Sequence, residues 1–203
     1  MTVTLTDARE QVRLRLEDDG GNGAWTDAEI DTGLARALDE YGHRYPMEQR
    51  AEIVVDQGDT SVDLPTGARS VVRVIDPRGR IIPPNAIPLR GTAGSEQGWE
   101  VWGDRVEFTR ALPEGTLELW YRGPRTFPDD SADPLPVPPD DVSLLVLGAV
   151  TWCLEQRSVA EWKRGALPAR YETVLRRARE EYQAAWRARA RQVRTGRMVG
   201  TGT

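Results

Sequence analysis

The sequence VSLLVLGAVTWCL, residues 142–154, is the longest apolar stretch of the chain. It is apolar nearly all round, which predicts the most enclosed helix of a folded core. It also contains Ser143, Gly148 and Thr151 and is too short to cross a bilayer as a helix, so no membrane partner is expected. Residues 1–6 lack the basic-then-apolar layout of a secretion signal, which predicts synthesis and residence in a cytoplasm.

The strongest helix start signal lies at residues 25–30, with the sequence WTDAEI. Thr26 suits the N-cap position, and Glu29 is placed three residues later to reach back to it. The hydrophobic residues at either end of this segment are placed to pack together as a staple. Apolar residues then recur at helical spacing until Pro46, which ends this predicted helix.

Two more helices are predicted, one towards each end of the chain. A first helix is predicted over about residues 5–18, with Thr4 and Asp7 resembling a capping box. Pro168 fits the first turn of the last helix, whose periodicity ends after Gln192. The packed stripe of that last helix is predicted to consist of Tyr171, Val174, Leu175, Ala178, Tyr182, Ala185 and Trp186.

Between about residues 50 and 125, short β-type runs alternate with turn residues. Gly58, Gly79, Gly103 and Gly115 supply the conformational freedom that chain reversals need. An antiparallel meander or a small barrel is the expected outcome, with residues 83–98 as a long exposed loop. The candidate strands are residues 52–56, 61–64, 70–76, 80–82, 99–102, 105–108 and 116–122.

We therefore predict a mainly α fold with a β insertion. Two N-terminal and two C-terminal helices form a four-helix core, interrupted by a small antiparallel β meander or barrel. A chain of 203 residues, 39 % hydrophobic and 29 % charged, is long enough for this arrangement. The predicted domains are a helical core at residues 1–48 and 136–192, a β-rich insertion at 49–125, a Pro/Asp-rich connector at 126–135 and a flexible basic tail at 193–203.

Residue types that commonly perform catalysis are scarce in this chain. His43 is the only histidine and Cys153 the only cysteine, which excludes a Cys/His zinc cluster and a disulfide within the chain. We predict no catalytic residues, no metal site and no cofactor. A hydrolase that uses the connector carboxylates Asp129, Asp130 and Asp133 is a rival hypothesis, in which alanine at these positions abolishes an activity.

Charge is distributed unevenly along a chain whose net charge is −5. Residues 163–203 include 11 basic and 3 acidic residues, giving +8, and the preceding 162 residues include 16 basic and 29 acidic ones, giving −13. The chain is therefore an acidic body with a basic end, and that end indicates a partner.

The candidate binding residues of the basic end are Arg187, Arg189, Arg191, Arg194, Arg197, Met198 and Val199. Small residues separate these arginines, a composition that fits a protein-docking segment that orders on binding. The alternative is a DNA-binding accessory protein whose basic C-terminal helix contacts phosphates without reading sequence. Tight DNA binding that weakens steeply with salt would favour that alternative.

Three segments carry a resemblance to a known family. They are WTDAEI at 25–30 leading into ALDEY at 37–41, VDLP at 62–65, and Val137 with Pro138 leading into the apolar helix. In this order they resemble the head-tail connector, or adaptor, proteins of tailed bacteriophages. The resemblance covers about residues 4–199, and the large β insertion departs from the smaller members.

The resemblance implies a structural protein with no enzymatic activity. Members of that family form a ring, commonly dodecameric, beneath the portal, where it extends the DNA channel and joins capsid to tail. The implied partners are further copies of the chain, the portal protein, a tail or stopper protein, and genomic DNA that passes through the lumen without specific binding. The portal-docking segment of the family maps onto residues 187–199. The implied location is the virion neck, after assembly in the host cytoplasm.

Overall fold

The chain folds into two compact units of different secondary structure. The helical unit comprises Met1–Tyr41 and Thr126–Thr203, and the sheet unit comprises Gly42–Arg125. This computed structural model describes residues 2–17, 25–85, 97–163 and 169–196. Within those ranges it contains four α-helices, one short 3-10 helix and seven β-strands, so the fold is mixed α/β.

The helices begin where the sequence provides caps. Thr4 and Asp7 form the expected capping box, with the Asp7 backbone N–H donating to Thr4 Oγ1 at 3.2 Å and Thr4 N–H donating to Asp7 Oδ2 at 2.9 Å. Thr26 and Glu29 make the same reciprocal bonds, at 3.3 and 2.8 Å. The Thr26 backbone N–H lowers the pKa of the Glu29 carboxyl. The helices are α1 Leu5–Arg15, α2 Asp27–Arg44, α3 Val142–Lys163 and α4 Ala169–Gly196, and the 3-10 helix Pro139–Asp141 leads directly into α3.

In the helical unit, α2 and α3 cross at close range. An ideal Cβ placed on Gly148 would lie 2.8 Å from the Ala37 Cβ, and one placed on Gly33 would lie 3.2 Å from backbone atoms of Ala149. Small residues on both helices therefore let the two backbones approach, which buries the apolar run as predicted. The fully or nearly fully buried residues here include Leu5, Val12, Ile30, Leu34, Leu38, Tyr41, Leu145, Val146 and Cys153.

The sheet unit contains two antiparallel sheets. Its strands are β1 Met47–Val55, β2 Ser61–Asp63, β3 Ser70–Ile75, β4 Ile81–Ile82, β5 Trp99–Trp102, β6 Arg105–Phe108 and β7 Gly115–Gly123. The four-stranded sheet has the order β1-β7-β3-β4 and the three-stranded sheet the order β2-β6-β5. The strands pair antiparallel, as predicted, but the described strands do not close into a barrel. The larger sheet also departs from a simple meander, because β7 lies between β1 and β3 instead of beside its neighbour in sequence.

β7 is the centre of the larger sheet and supplies much of its core. It pairs with β1 in unbroken register from Gly115 to Gly123, and it pairs with β3 on its other side. Leu117 and Leu119 point inward from β7 and are fully buried. Trp99 of β5 joins the same apolar cluster, and its indole N–H donates to the Ile82 carbonyl at 2.9 Å. Of the predicted loop at 83–98, residues 86–96 lie outside the described ranges.

The observed helix α3 continues past the apolar run into a mostly polar segment. α3 extends nine residues beyond Leu154, through Glu155 and Arg157, to Lys163. No helix among the described residues is both long enough and apolar enough to span a membrane.

Candidate functional site

The inner face of α4 packs against α2 and α3. Leu175, Ala178 and Trp186 are buried on this face, as the helical spacing predicted. Val174 was predicted to belong to the packed stripe but is 45 % exposed, because it lies on the outer side of the first described turns. The side chain of Tyr171, also assigned to the stripe, lies outside the described part of the chain.

Aromatic rings join α4 to α2 in the second half of the helix. The Trp186 ring stacks on the Tyr41 ring with centroids 6.2 Å apart, and Tyr182 meets Trp186 edge to face at 6.0 Å. The Tyr182 hydroxyl donates to Glu40 Oε2 at 2.7 Å. Aromatic pairs of this geometry stabilise by about 0.5–1.5 kcal/mol beyond the burial of their area. These contacts attach the part of α4 around Tyr182 and Trp186 to α2.

A buried ionic contact lies beside these rings. Asp141, the last residue of the 3-10 helix, has only 4 % of its side chain exposed. Its Oδ2 accepts a hydrogen bond from the Tyr41 hydroxyl at 2.5 Å, and the Arg189 Nη2 lies 2.8 Å from the same oxygen. Neither the burial of Asp141 nor its partners were predicted from the sequence.

The predicted binding residues of α4 do not share one face. Arg187 and Arg191 are both exposed and lie one helical turn apart, and we name this pair the arginine stripe. The Arg191 Nε donates weakly to the Arg187 carbonyl at 3.3 Å. Arg189 lies between them in sequence but points inward to Asp141, with 26 % of its side chain exposed. Arg194 lies in the last turn of the helix with its side chain outside the described part, and Arg197, Met198 and Val199 lie beyond it.

The connector aspartates are exposed and organise the local backbone. Asp130 Oδ1 accepts a hydrogen bond from the Ala132 backbone N–H at 2.9 Å, and the Asp133 carbonyl accepts one from Leu5 N–H at 3.0 Å. These contacts close a turn and attach it to the start of α1. In the described ranges, no three His, Cys, Asp or Glu side chains lie together in a way that could hold a metal ion.

The single cysteine and the single histidine of the chain occupy contrasting positions. Cys153 is fully buried, and desolvation raises the pKa of its thiol to about 12, so it is a protonated core residue at neutral pH. His43 is exposed near the end of α2. Neither position resembles an activated nucleophile with its base.

A polar cleft of about 460 Å³ lies in the sheet unit, beside the turn that joins β3 to β4. Its buried acid, Asp76, accepts hydrogen bonds from the backbone N–H groups of Arg78 and Arg80 at 2.9 and 2.8 Å. The Arg80 guanidinium pairs with the other carboxylate oxygen at 2.8 Å. These contacts hold the turn in place and leave the carboxylate fully engaged within the chain.

Asp76 is expected to make the sheet unit sensitive to acid. Burial alone would raise the pKa of Asp76, but the hydrogen bonds from Arg80 and Arg78 outweigh it and hold the pKa of this carboxyl below its usual value. Its stabilisation is therefore complete above about pH 4 and is lost as the pH falls through the lower, folded-state pKa. In urea titrations at pH 7, Asp76→Asn should lower the free energy of unfolding by about 1.5–3 kcal/mol.

Urea titrations at lower pH test the role of the Asp76 carboxylate more sharply. The difference in stability between the native protein and Asp76→Asn should shrink as the pH falls below 4, because the carboxyl of residue 76 then binds a proton in the unfolded chain before it does so in the folded one. Asp104→Asn, at an exposed turn position, is the matched control and should change stability by less than about 0.5 kcal/mol. A difference for Asp76→Asn that stays constant down to pH 2 would contradict the assignment.

Comparison with known families gives a match over nearly the whole chain. A family model described as SU10 adaptor protein matches residues 3–202. No relative matches among the curated proteins. The family match includes both units and the whole of α4.

Proposed function

The chain belongs to the SU10 adaptor protein family, a family of phage head-tail adaptors, and from this premise we propose that it is a non-enzymatic subunit of the virion neck. In this proposal, copies of the chain form a ring under the portal, assembled in the host cytoplasm. The ring extends the DNA channel and joins the capsid to a tail or stopper protein.

The arginine stripe carries the proposal for portal docking. From residue 182 to the C-terminus there are five arginines and no acidic residue. Arg189 is turned into the helical unit, whereas Arg187 and Arg191 face solvent on the opposite side of α4. Arginines presented from a rigid helix suit bidentate recognition of carboxylates. The proposed partner surface is therefore an acidic face of the portal protein, with residues 194–199 extending the contact.

The acidic body of the chain supports a channel through which DNA passes without being held. The 162 residues before position 163 carry a net charge of −13. Like charge prevents the close phosphate contacts that would retain DNA. Native mass spectrometry of the chain with its portal tests the ring: an assembly of many copies is expected, and a monomer that persists with portal present contradicts ring formation.

Reversal of the arginine stripe tests portal docking. Arg187→Glu with Arg191→Glu should weaken portal binding at least tenfold, about 1.4 kcal/mol or more, because two attractive contacts become repulsive. Affinity is measured by pull-down and by titration with the portal protein. The control, Arg36→Glu with Arg176→Glu, makes the same charge change at exposed positions of the same unit and should bind normally. Equal loss in both variants would contradict a contact specific to the stripe.

Nucleic-acid binding by the same arginines is the second candidate function. The absence of acidic residues after Glu181 favours it, since phosphates attract any exposed basic strip. A gel shift at increasing salt separates the two functions. Tight binding that falls steeply with salt and disappears with the stripe reversal would support the DNA-binding accessory function, whereas weak binding at moderate salt is expected for the adaptor.

A further inference from the structure

The buried contact at Asp141 divides the basic end of the chain into two parts. Asp141 comes from the segment just before α3, Tyr41 from α2 and Arg189 from α4, so three separate segments meet at one carboxylate oxygen. The ion pairs Arg177–Glu181 and Arg179–Glu155 also involve α4, but their side chains are 38–82 % exposed. Exposed pairs contribute little to holding a helix in place. Among these pairs the contact at Asp141 is the strongest candidate for fixing the position of α4.

The position of Arg189 also determines where its neighbours point. Successive residues of an α-helix are separated by about 100° around the axis, so Arg187 and Arg191 each lie about 200° away from Arg189. Anchoring Arg189 inward therefore turns both residues of the arginine stripe outward. A rotation of the end of α4 would bury part of the arginine stripe. It would also move the Arg189 guanidinium away from the Asp141 carboxylate.

We infer that Asp141, Tyr41 and Arg189 form a clamp that sets how the docking end of the chain is presented to its partner. The inference rests on the proposed portal docking and assigns Arg189 as a positioning residue instead of a portal contact. α4 stays attached to the helical unit through Arg189, because releasing it would leave the buried carboxylate of Asp141 without its cation. Any ordering that accompanies docking is confined to residues beyond 189.

Hydrogen exchange of the free protein tests the clamp without requiring a partner. In the native chain, slow amide exchange should extend along α4 to about residue 189. Asp141→Asn removes the charge that Arg189 pairs with and should speed the exchange of residues 186–192 at least about tenfold, while residues 175–182 stay unchanged. Asp140→Asn, at the exposed neighbouring position in the same 3-10 helix, is the matched control and should exchange like the native chain.

A general loss of stability would speed amide exchange throughout the helical unit. Faster exchange that is limited to residues 186–192 therefore identifies the clamp. Unchanged exchange at residues 186–192 in folded Asp141→Asn would overturn the inference. Should Asp141→Asn fail to fold, Arg189→Gln decides the question by the same measurement, since it removes the cation from the more exposed partner.

Portal affinity provides the second measurement. Asp141→Asn should weaken portal binding about fivefold or more, because the stripe is no longer held in one orientation, and Asp140→Asn should bind normally. Faster exchange with native portal affinity would overturn the positioning role. The two proposals can fail separately. If the native chain does not bind the portal protein, the docking proposal is wrong, and hydrogen exchange still tests the clamp. If the stripe reversal weakens portal binding but Asp141→Asn does not, the positioning role of the clamp is wrong and the docking proposal stands.

Discussion

Gly148→Leu is expected to lower the free energy of unfolding of the helical unit by about 3 kcal/mol, the upper end of the usual cost of overpacking a tight core. At position 148 even a single Cβ would lie 2.8 Å from the Ala37 Cβ and 3.1 Å from the Tyr182 hydroxyl oxygen. Ala37 can move only with its helix backbone, so the leucine must push α2 away from α3 and displace the Tyr182 ring. Urea denaturation followed by the helical circular dichroism signal measures the loss.

Two further variants show whether the crossing itself is responsible. Ser143→Leu places the same side chain at an exposed position of α3 and should change stability by less than about 0.5 kcal/mol. Gly148→Ala gains about 1 kcal/mol of helix propensity but suffers the 2.8 Å contact, so it should still be destabilising. A Gly148→Ala protein more stable than the native chain would show that α2 and α3 separate easily.

Local signals were sufficient to predict much of the secondary structure. The hairpin of β5 and β6 was predicted residue for residue, at Trp99–Trp102 and Arg105–Phe108. Gly103 adopts a φ of 62° in its turn, which glycine accepts without strain. The start of α2 was predicted because Thr26 and Glu29 form their bonds within four residues of each other. In each case, the interactions that determine the structure are close together in sequence.

Features that depend on distant pairing were not predicted. β1 was expected to begin at residue 52 but begins at Met47, and residues 47–51 have no apolar alternation. They form a strand because Met47 pairs with Gly123 and Ala51 with Leu119, far along the chain. The placement of β7 between β1 and β3 has the same cause. Sheet order depends on which strands bury each other's side chains, and local turn chemistry contains no information about that.

The structural features of the basic end were predicted in part. Its basic character was evident from composition, and Arg187 and Arg191 are exposed in the structure, while their assignment to a docking surface stays a prediction. The inward direction of Arg189 had a signal that was not used, because residue 189 lies three positions after Trp186 and seven after Tyr182, on the packed stripe. Its partner could not be predicted, since the burial of Asp141 depends on how α2 and α4 meet the start of α3.

Removing the cation alone from the clamp is expected to be costly. Arg189→Met leaves the Asp141 carboxylate 4 % exposed with the Tyr41 hydroxyl beside it, and breaking a buried pair in this way costs about 3–5 kcal/mol. Arg187→Met, two residues earlier at an exposed site, should cost less than about 0.5 kcal/mol. Equal effects of the two substitutions in urea denaturation would contradict the assignment of Arg189 to the interior.

Replacing the whole clamp by apolar residues should restore most of the loss. In the triple variant Tyr41→Phe, Asp141→Leu and Arg189→Met, no polar group of the clamp is left buried without its partner, and stability should return to within about 1 kcal/mol of the native value. Recovery of stability with portal binding still weakened would mean that the clamp specifies the orientation of α4 and adds little net stability. The triple variant could instead be as unstable as Arg189→Met. That result would mean that apolar packing cannot replace the polar contacts of the clamp, and that these contacts are needed to hold α4 on the helical unit.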